Sequence, residues 1–307
     1  MNRLDTDHTS GSTGVARSFL DQLERWAAMD TSTNAPGFRA ALLRHLREAQ
    51  AAQPAMALIH QLAVRALDVA STGVARGDAV PDLRAHLAQS CAAEREDLAA
   101  QQAAVARTAA QLATMREPWI ATLSSSSAVR DALLELQRKG KGPRVLVAES
   151  RPLNEGRALA AELAEAGIPT WLVVDAALPL LISQAAMVWI GADAVTDRGV
   201  LNKVGSYGVA LAARESSVPV YALAMRRKFL PASTTALQIP EMPPAEVWDS
   251  PAPGVQPRNV YFELVPLELL RGVVVEDSVL GVTEIQVTAK DRELPKELAG
   301  GSETTAA

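Results

Sequence analysis

Near residue 118 the chain changes its hydrophobic period, and few architectures accommodate both halves. Beyond that point short apolar runs at 119–123, 144–148, 170–174, 186–191 and 218–224 alternate with helical patterns at 127–138, 156–166, 176–183 and 205–216. Such alternation predicts a parallel sheet with right-handed crossovers, a Rossmann-like α/β domain over residues 118–289. Before it the pattern is helical throughout: 15–29, 36–50, 54–71 and 80–117 form an all-helical N-terminal domain over residues 1–117. Pro36, Pro54 and Pro81 suit first-turn positions, where the missing N–H costs nothing. In the fourth helix Cys91, Leu98, Val105 and Leu112 recur every seven residues, with Leu83, Leu87, Ala109 and Met115 near the same stripe. Residues 231–259 hold seven of the eighteen prolines and read as a surface loop. Short strands return at 261–265 and 273–276, and 290–307 reads as a disordered tail.

Composition narrows the function classes. With 56 alanines against 12 aromatic residues, close helix packing is favoured over a β-sandwich. A single cysteine rules out an intramolecular disulfide framework and a cysteine-based zinc site. A formal charge of −5 argues against non-specific nucleic-acid binding. No apolar run reaches the length of a membrane span, and residues 1–14 are polar rather than signal-like, so a soluble cytoplasmic protein is expected. The four histidines, at 8, 45, 60 and 86, all lie in the helical half, and no metal site is expected.

In an open parallel sheet, ligands sit at the carboxyl ends of the strands. Four polar clusters fall there. Ser124-Ser125-Ser126-Ser127 opens a helix and suits either an anion or an ordinary serine N-cap. In Glu149-Ser150-Arg151-Pro152-Leu153-Asn154-Glu155-Gly156, Arg151 would hold a phosphate or pair with Glu149 or Glu155. Asp193, after Gly191-Ala192, is a general acid/base or a turn cap. Asn202-Lys203 opens the helix at 205–216, and a lysine at a helix's positive end is unfavourable unless an anion sits beside it. There is no G-x-G-x-x-G and no Walker lysine, so a dinucleotide or nucleotide-triphosphate enzyme is disfavoured.

Taken in order, Glu149-Ser150-Arg151-Pro152, Ala166-Gly167-Ile168-Pro169, Gly191-Ala192-Asp193-Ala194-Val195, Asn202-Lys203-Val204-Gly205-Ser206-Tyr207 and Val218-Pro219-Val220-Tyr221…Lys228-Phe229 form a series. It resembles the family that unites the alpha, beta and delta regulatory subunits of translation initiation factor 2B with methylthioribose-1-phosphate and ribose-1,5-bisphosphate isomerases. The likeness covers about residues 118–280; in the helical half it is limited to a stretch such as residues 53–59. The resemblance implies a helical domain on a Rossmann-like domain, dimerising through the latter; no cofactor is expected. In the isomerases a cysteine and an aspartate exchange protons while Arg, Asn and Lys hold the sugar phosphate. The aspartate matches Asp193, the amide and amine match Asn202 and Lys203, and the arginine matches Arg151.

Three departures redirect the expectation. Ser124 stands where the isomerase cysteine belongs, and a hydroxyl is far less acidic than a thiol of pKa about 8.5. The isomerases' N-terminal Arg-Gly-Ala phosphate loop is missing. A substrate-contacting glutamine aligns with Glu155, whose carboxylate would repel a phosphate unless Arg151 neutralises it. The expected protein is regulatory-subunit-like: it binds a sugar phosphate or nucleotide at Ser125, Ser126, Arg151, Glu155, Asn202 and Lys203 without isomerising it. The alternative is an aldose-1-phosphate to ketose-1-phosphate isomerase in which Asp193 moves the proton and Ser124 only positions substrate.

Overall fold

A computed structural model describes residues 11–234, 237–292 and 294–299. Four helices come first: α1 (Ser12–Met29), α2 (Ala35–Ala52), α3 (Ala57–Arg76) and α4 (Val80–Leu112). Asn34 caps α2 by accepting from the Gly37 N–H at 2.9 Å, with Pro36 in the first turn. Pro81 occupies the same position in α4. Pro54 does not: α3 starts only at Ala57, and Pro54 lies in the turn before it. Helix α4 ends at Leu112, five residues earlier than its stripe suggests, and Met115 is exposed beyond it. Cys91, Leu98 and Val105 are buried as their spacing requires.

The α/β half follows as β1 (Trp119–Leu123), α5 (Ser127–Arg138), β2 (Arg144–Ala148), α6 (Glu155–Glu165), β3 (Thr170–Val173), α7 (Leu178–Leu181), β4 (Met187–Ile190), β5 (Ala194–Val195), β6 (Gly199–Lys203), α8 (Ser206–Glu215), β7 (Val220–Leu223), β8 (Phe262–Pro266), β9 (Gly272–Val274), β10 (Val279–Leu280) and α9 (Val282–Lys290). Seven strands form one sheet in the order β10-β9-β7-β4-β1-β2-β3, parallel except at β10. From β1 the chain proceeds to β2 and β3 on one side, then crosses to β4 on the other. The carboxyl ends of β1 and β4 therefore flank the topological switch point, where a crevice opens.

Hydrophobic faces explain the layers. Ile120, Val145, Val147 and Trp189 turn to one side and join Leu133, Leu159 and Val105 in a core continuous with the helical half. Leu146, Val188, Ile190 and Ala222 turn to the other and pack on Leu178, Val209, Ala213 and Ile285. Successive strand residues point to opposite faces, so both faces of each central strand are apolar.

Three features depart from the sequence expectation. A second, antiparallel sheet of order β5-β6-β8 stands at the carboxyl end of the first, and it places Asn202 and Lys203 in a strand rather than at a helix start. Strand β10 and helix α9 close the chain where no element is expected. Residues 294–299 fold back on the helical half: Leu298 is buried, its carbonyl accepts from Gln50 Nε2 at 3.2 Å, and Glu297 pairs with Arg39 at 2.6 Å. Residues 300–307 of the expected tail lie outside the described residues. No helix among the described residues is long and apolar enough to cross a membrane.

Candidate functional site

A cavity of about 70 Å3 opens at the switch point. That is room for several waters or a small polar ligand. The loops after β1 and β4 meet there, and Gly191 makes the approach possible: a Cβ on it would lie 2.8 Å from the Ser126 side chain. Gly156 plays the same part at the end of β2, where a Cβ would come within 1.8 Å of the Ala148 carbonyl oxygen and push α6 off the strand.

The serine run forms the floor. Ser124 has φ +61°, and its N–H donates to Ser150 Oγ at 2.7 Å. Ser126 is the N-cap of α5, accepting from the Val129 N–H at 3.5 Å. The N–H groups of Ser125, Ser126, Ser127 and Ala128 have no acceptor among the described residues. Consecutive orphan donors at the positive end of a helix favour an anion.

Across the cavity, Lys203 and Glu155 are both buried and form an ion pair at 2.7 Å. The Lys203 ammonium also lies 4.5 Å from the centre of the Tyr261 ring. The anion that compensates Lys203 is thus a carboxylate of the chain itself. The other Glu155 oxygen, Oε2, is buried without a hydrogen-bond partner. Tyr261 donates in turn to the Glu246 carboxylate, and burial together with that carboxylate raises its phenol pKa. Asn202 Nδ2 donates to Ser206 Oγ at 2.8 Å, and Ser206 Oγ donates to the Lys203 carbonyl at 2.6 Å, which fixes the amide.

Asp193 lies on the same wall. Its amide donates to the Leu201 carbonyl at 2.8 Å, and its carbonyl accepts from the Ala57 N–H at 3.0 Å. Burial pushes its carboxyl up to about 6, against the opposing pull of Lys228, the Ser12 hydroxyl and Lys203. Lys228, from the turn after β7, donates to the Ala192 carbonyl at 2.6 Å and to Ser12 Oγ at 2.7 Å. Burial brings its ammonium down to about 8, with Asp193 resisting.

Of the residues singled out in the sequence, Ser124, Ser125, Ser126, Glu155, Asp193, Asn202 and Lys203 all line this cavity. Arg151 does not. Its guanidinium is exposed and donates to the Val247 carbonyl at 3.2 Å, while its amide donates to Asp175. Neither expected carboxylate pairs with it, because Glu149 is taken by Arg157 at 2.6 Å and Glu155 by Lys203. Lys228, Tyr261, Ser12 and the 52–56 turn were not expected here. The last two come from the helical half, from segments with no polar motif to mark them. His60 holds that turn in place, its Nε2 donating to the Pro54 carbonyl at 3.1 Å. No group of three or more metal-ligating side chains occurs among the described residues. Cys91 is not among the lining residues, and burial with nearby carboxylates pushes its thiol up to about 12.

Comparison with known proteins agrees with the fold. Residues 8–282 match the model of the Initiation factor 2 subunit family. A putative translation initiation factor eIF-2B subunit 2-like protein of Pyrococcus furiosus is 36% identical over 159 residues, covering 51% of this chain and 55% of that one. A ribose 1,5-bisphosphate isomerase of Methanocaldococcus jannaschii is 33% identical over 162 residues, covering 51% and 53%. These matches span about half the length of the curated relatives. A crystal structure of the Pyrococcus horikoshii translation initiation factor eIF-2B superposes with a TM-score of 0.76 at 25% identity, covering 91% of this chain and 94% of that one.

Proposed function

The chain belongs to the Initiation factor 2 subunit family, and from that premise we propose that its cavity binds a phosphorylated sugar or nucleotide without isomerising it. The observation that carries this reading is Ser124. By the sequence resemblance it stands where the isomerases carry a reactive thiol; it lines the cavity beside the start of α5, and no cysteine is among the lining residues. A serine hydroxyl with no histidine base among the lining residues does not ionise near neutral pH. The α5 terminus suits a phosphate, while the free Glu155 oxygen and the Asn202 amide suit hydroxyl groups. The protein would act in the cytoplasm as a homo-oligomer joined through the α/β half, where edge residues Trp171, Leu172, Val174 and Leu180 are exposed.

One observation favours a second reading. Asp193, with its carboxyl raised to about 6, is suited to shuttling a proton at neutral pH. Thermal unfolding in the presence of ribose 1,5-bisphosphate, methylthioribose 1-phosphate or nucleoside monophosphates separates the two. Binding alone raises the midpoint with no conversion of the sugar. Conversion that disappears in Asp193→Asn establishes the isomerase reading instead.

A further inference from the structure

The family match ends at Val282, the first residue of α9. Beyond that helix the chain leaves the α/β half and returns to the helical one. Residues 295–298 form a turn in which the Leu298 N–H donates to the Pro295 carbonyl at 2.8 Å. Leu298 is buried in the core continuous with the helical half. Glu297 is held on α2: its carboxylate pairs with Arg39 at 2.6 Å, and its carbonyl accepts from Arg47 Nε at 3.0 Å.

Two contacts carry this segment to the wall of the cavity. The first is a hydrogen-bond relay. Gln50 Nε2 donates to the Leu298 carbonyl at 3.2 Å and to His60 Nδ1 at 2.9 Å, and His60 Nε2 donates to the Pro54 carbonyl at 3.1 Å. Pro54 lines the cavity. The second contact is Leu294, which packs against a small cluster of Ala55, Ala57, Ala194, Leu201 and Leu230 drawn from both halves. The Ala57 N–H donates to the Asp193 carbonyl at 3.0 Å, tying the start of α3 to the opposite wall. The cluster includes Ala57 and the residue after Asp193, so it shields that bond, and Leu294 adds to the cover.

We infer that residues 294–299 are a strap that closes the helical wall of the cavity and releases as a unit, opening the cavity between the 52–57 turn and Asp193. This role follows from the strap's own contacts, whatever the cavity holds. The strap is weakly held. Leu298 is its one deeply buried side chain; Lys296 and Glu297 are exposed, and Leu294, Pro295 and Ala299 are half-buried. Burial of one leucine and a few polar contacts barely offsets the entropy of fixing six residues, which keeps the docked and free states close in free energy. Segments with so few buried contacts open far more readily than the whole protein unfolds. Departure of the strap takes the Leu298 carbonyl from Gln50 and lifts Leu294 off the joint. The remainder of the joint holds, because Lys228 still bonds Ser12, and Val105 and Leu133 stay in the shared core. One wall opens rather than the whole molecule.

The test is hydrogen–deuterium exchange, resolved to single amides, on three proteins: the full chain, a chain ending at Arg292, and Leu298→Asp, which keeps the length but expels the anchor. The Ala57 amide reports the joint, and Val147, buried in β2, reports global unfolding. Ala57 is expected to exchange about tenfold faster or more in both variants, with Val147 unchanged. Oxidation of Met56 by hydrogen peroxide, read by mass spectrometry, rises in parallel, since Met56 lines the cavity and is only 4% exposed. Glu297→Gln, which removes the surface pair alone, gives a smaller rise of a few-fold. Unchanged exchange at Ala57 in both the shortened chain and Leu298→Asp overturns the strap. So does a rise of equal size at Ala57 and Val147, which makes the segment a contributor to overall stability and not a closure of one wall. Neither readout uses a ligand, so failure of the strap is distinguishable from failure of the cavity as a ligand site.

Discussion

Ser124 and Ser150, at the ends of neighbouring parallel strands, hold one another in the left-handed region: φ is +61° and +65°, and the Ser124 N–H donates to Ser150 Oγ at 2.7 Å. Ser150 Oγ donates onward to the Ala148 carbonyl at 3.1 Å. Such a backbone conformation costs a residue with a side chain roughly 1–2 kcal/mol and persists only where the surroundings enforce it. Ser150→Ala removes the enforcing acceptor and leaves a shielded N–H unpaired. A loss of about 1–3 kcal/mol in unfolding free energy is expected, read by urea denaturation. Weakened ligand-induced stabilisation should accompany it, because the start of α5 shifts.

The buried pair of Lys203 and Glu155 sets a trade between stability and affinity. Glu155→Gln keeps the shape but strands a buried ammonium, at a cost of about 3–5 kcal/mol. The freed Lys203 then offers the cavity a second positive charge. Anion affinity is expected to rise as the melting temperature falls. A variant losing both would show that the carboxylate serves the ligand more than the lysine.

His60 makes the helical half sensitive to acid. Its ring is fully buried, with Nε2–H on the Pro54 carbonyl, so Nδ1 accepts from Gln50 Nε2 at 2.9 Å. Burial lowers its pKa below the ordinary 6.5. The unfolded chain takes up a proton near pH 6.5 while the folded ring resists it, so this contribution is complete above pH 6.5 and lost as pH falls below it. Unfolding free energy measured from pH 7.5 to 5 should decline less steeply in His60→Gln than in wild type. Identical slopes would remove His60 from the account.

Cys91 should be inert in the folded protein. It is buried in the core, with its thiol raised to about 12. A thiol-reactive chromophore at pH 8 is expected to label it only at the rate of unfolding, and Cys91→Ala to leave ligand binding unchanged while costing about 1–2 kcal/mol of stability.

The parallel sheet was legible because each central strand is a short apolar run between a helix and a turn. Strand β6 was not: Gly199–Lys203 is buried along its whole length and so shows no alternation, and its last two residues are polar for the sake of the cavity. The strand-end rule located Ser124, Glu155, Asp193, Asn202 and Lys203 because each follows or flanks an apolar run. It also put Arg151 in the site, since a rule about loops cannot say which way a side chain leaves one. Lys228 and Ser12 escaped because their relationship spans 216 residues of sequence. No local pattern encodes a hydroxyl at the start of one helix meeting an ammonium in a turn of the other half.

That long-range bond gives the cavity an unusual dependence. One wall belongs to α1 and to the turn before α3, so the α/β half alone would offer a bare crevice at its switch point. Any fluctuation that lifts the first turn of α1 breaks the bond between Lys228 and Ser12 and uncovers the cavity. Amide exchange at residues 12–16 should therefore report the opening of a pocket whose other wall lies almost two hundred residues away along the chain. In this protein the joint between the two halves and the switch-point cavity are the same piece of structure.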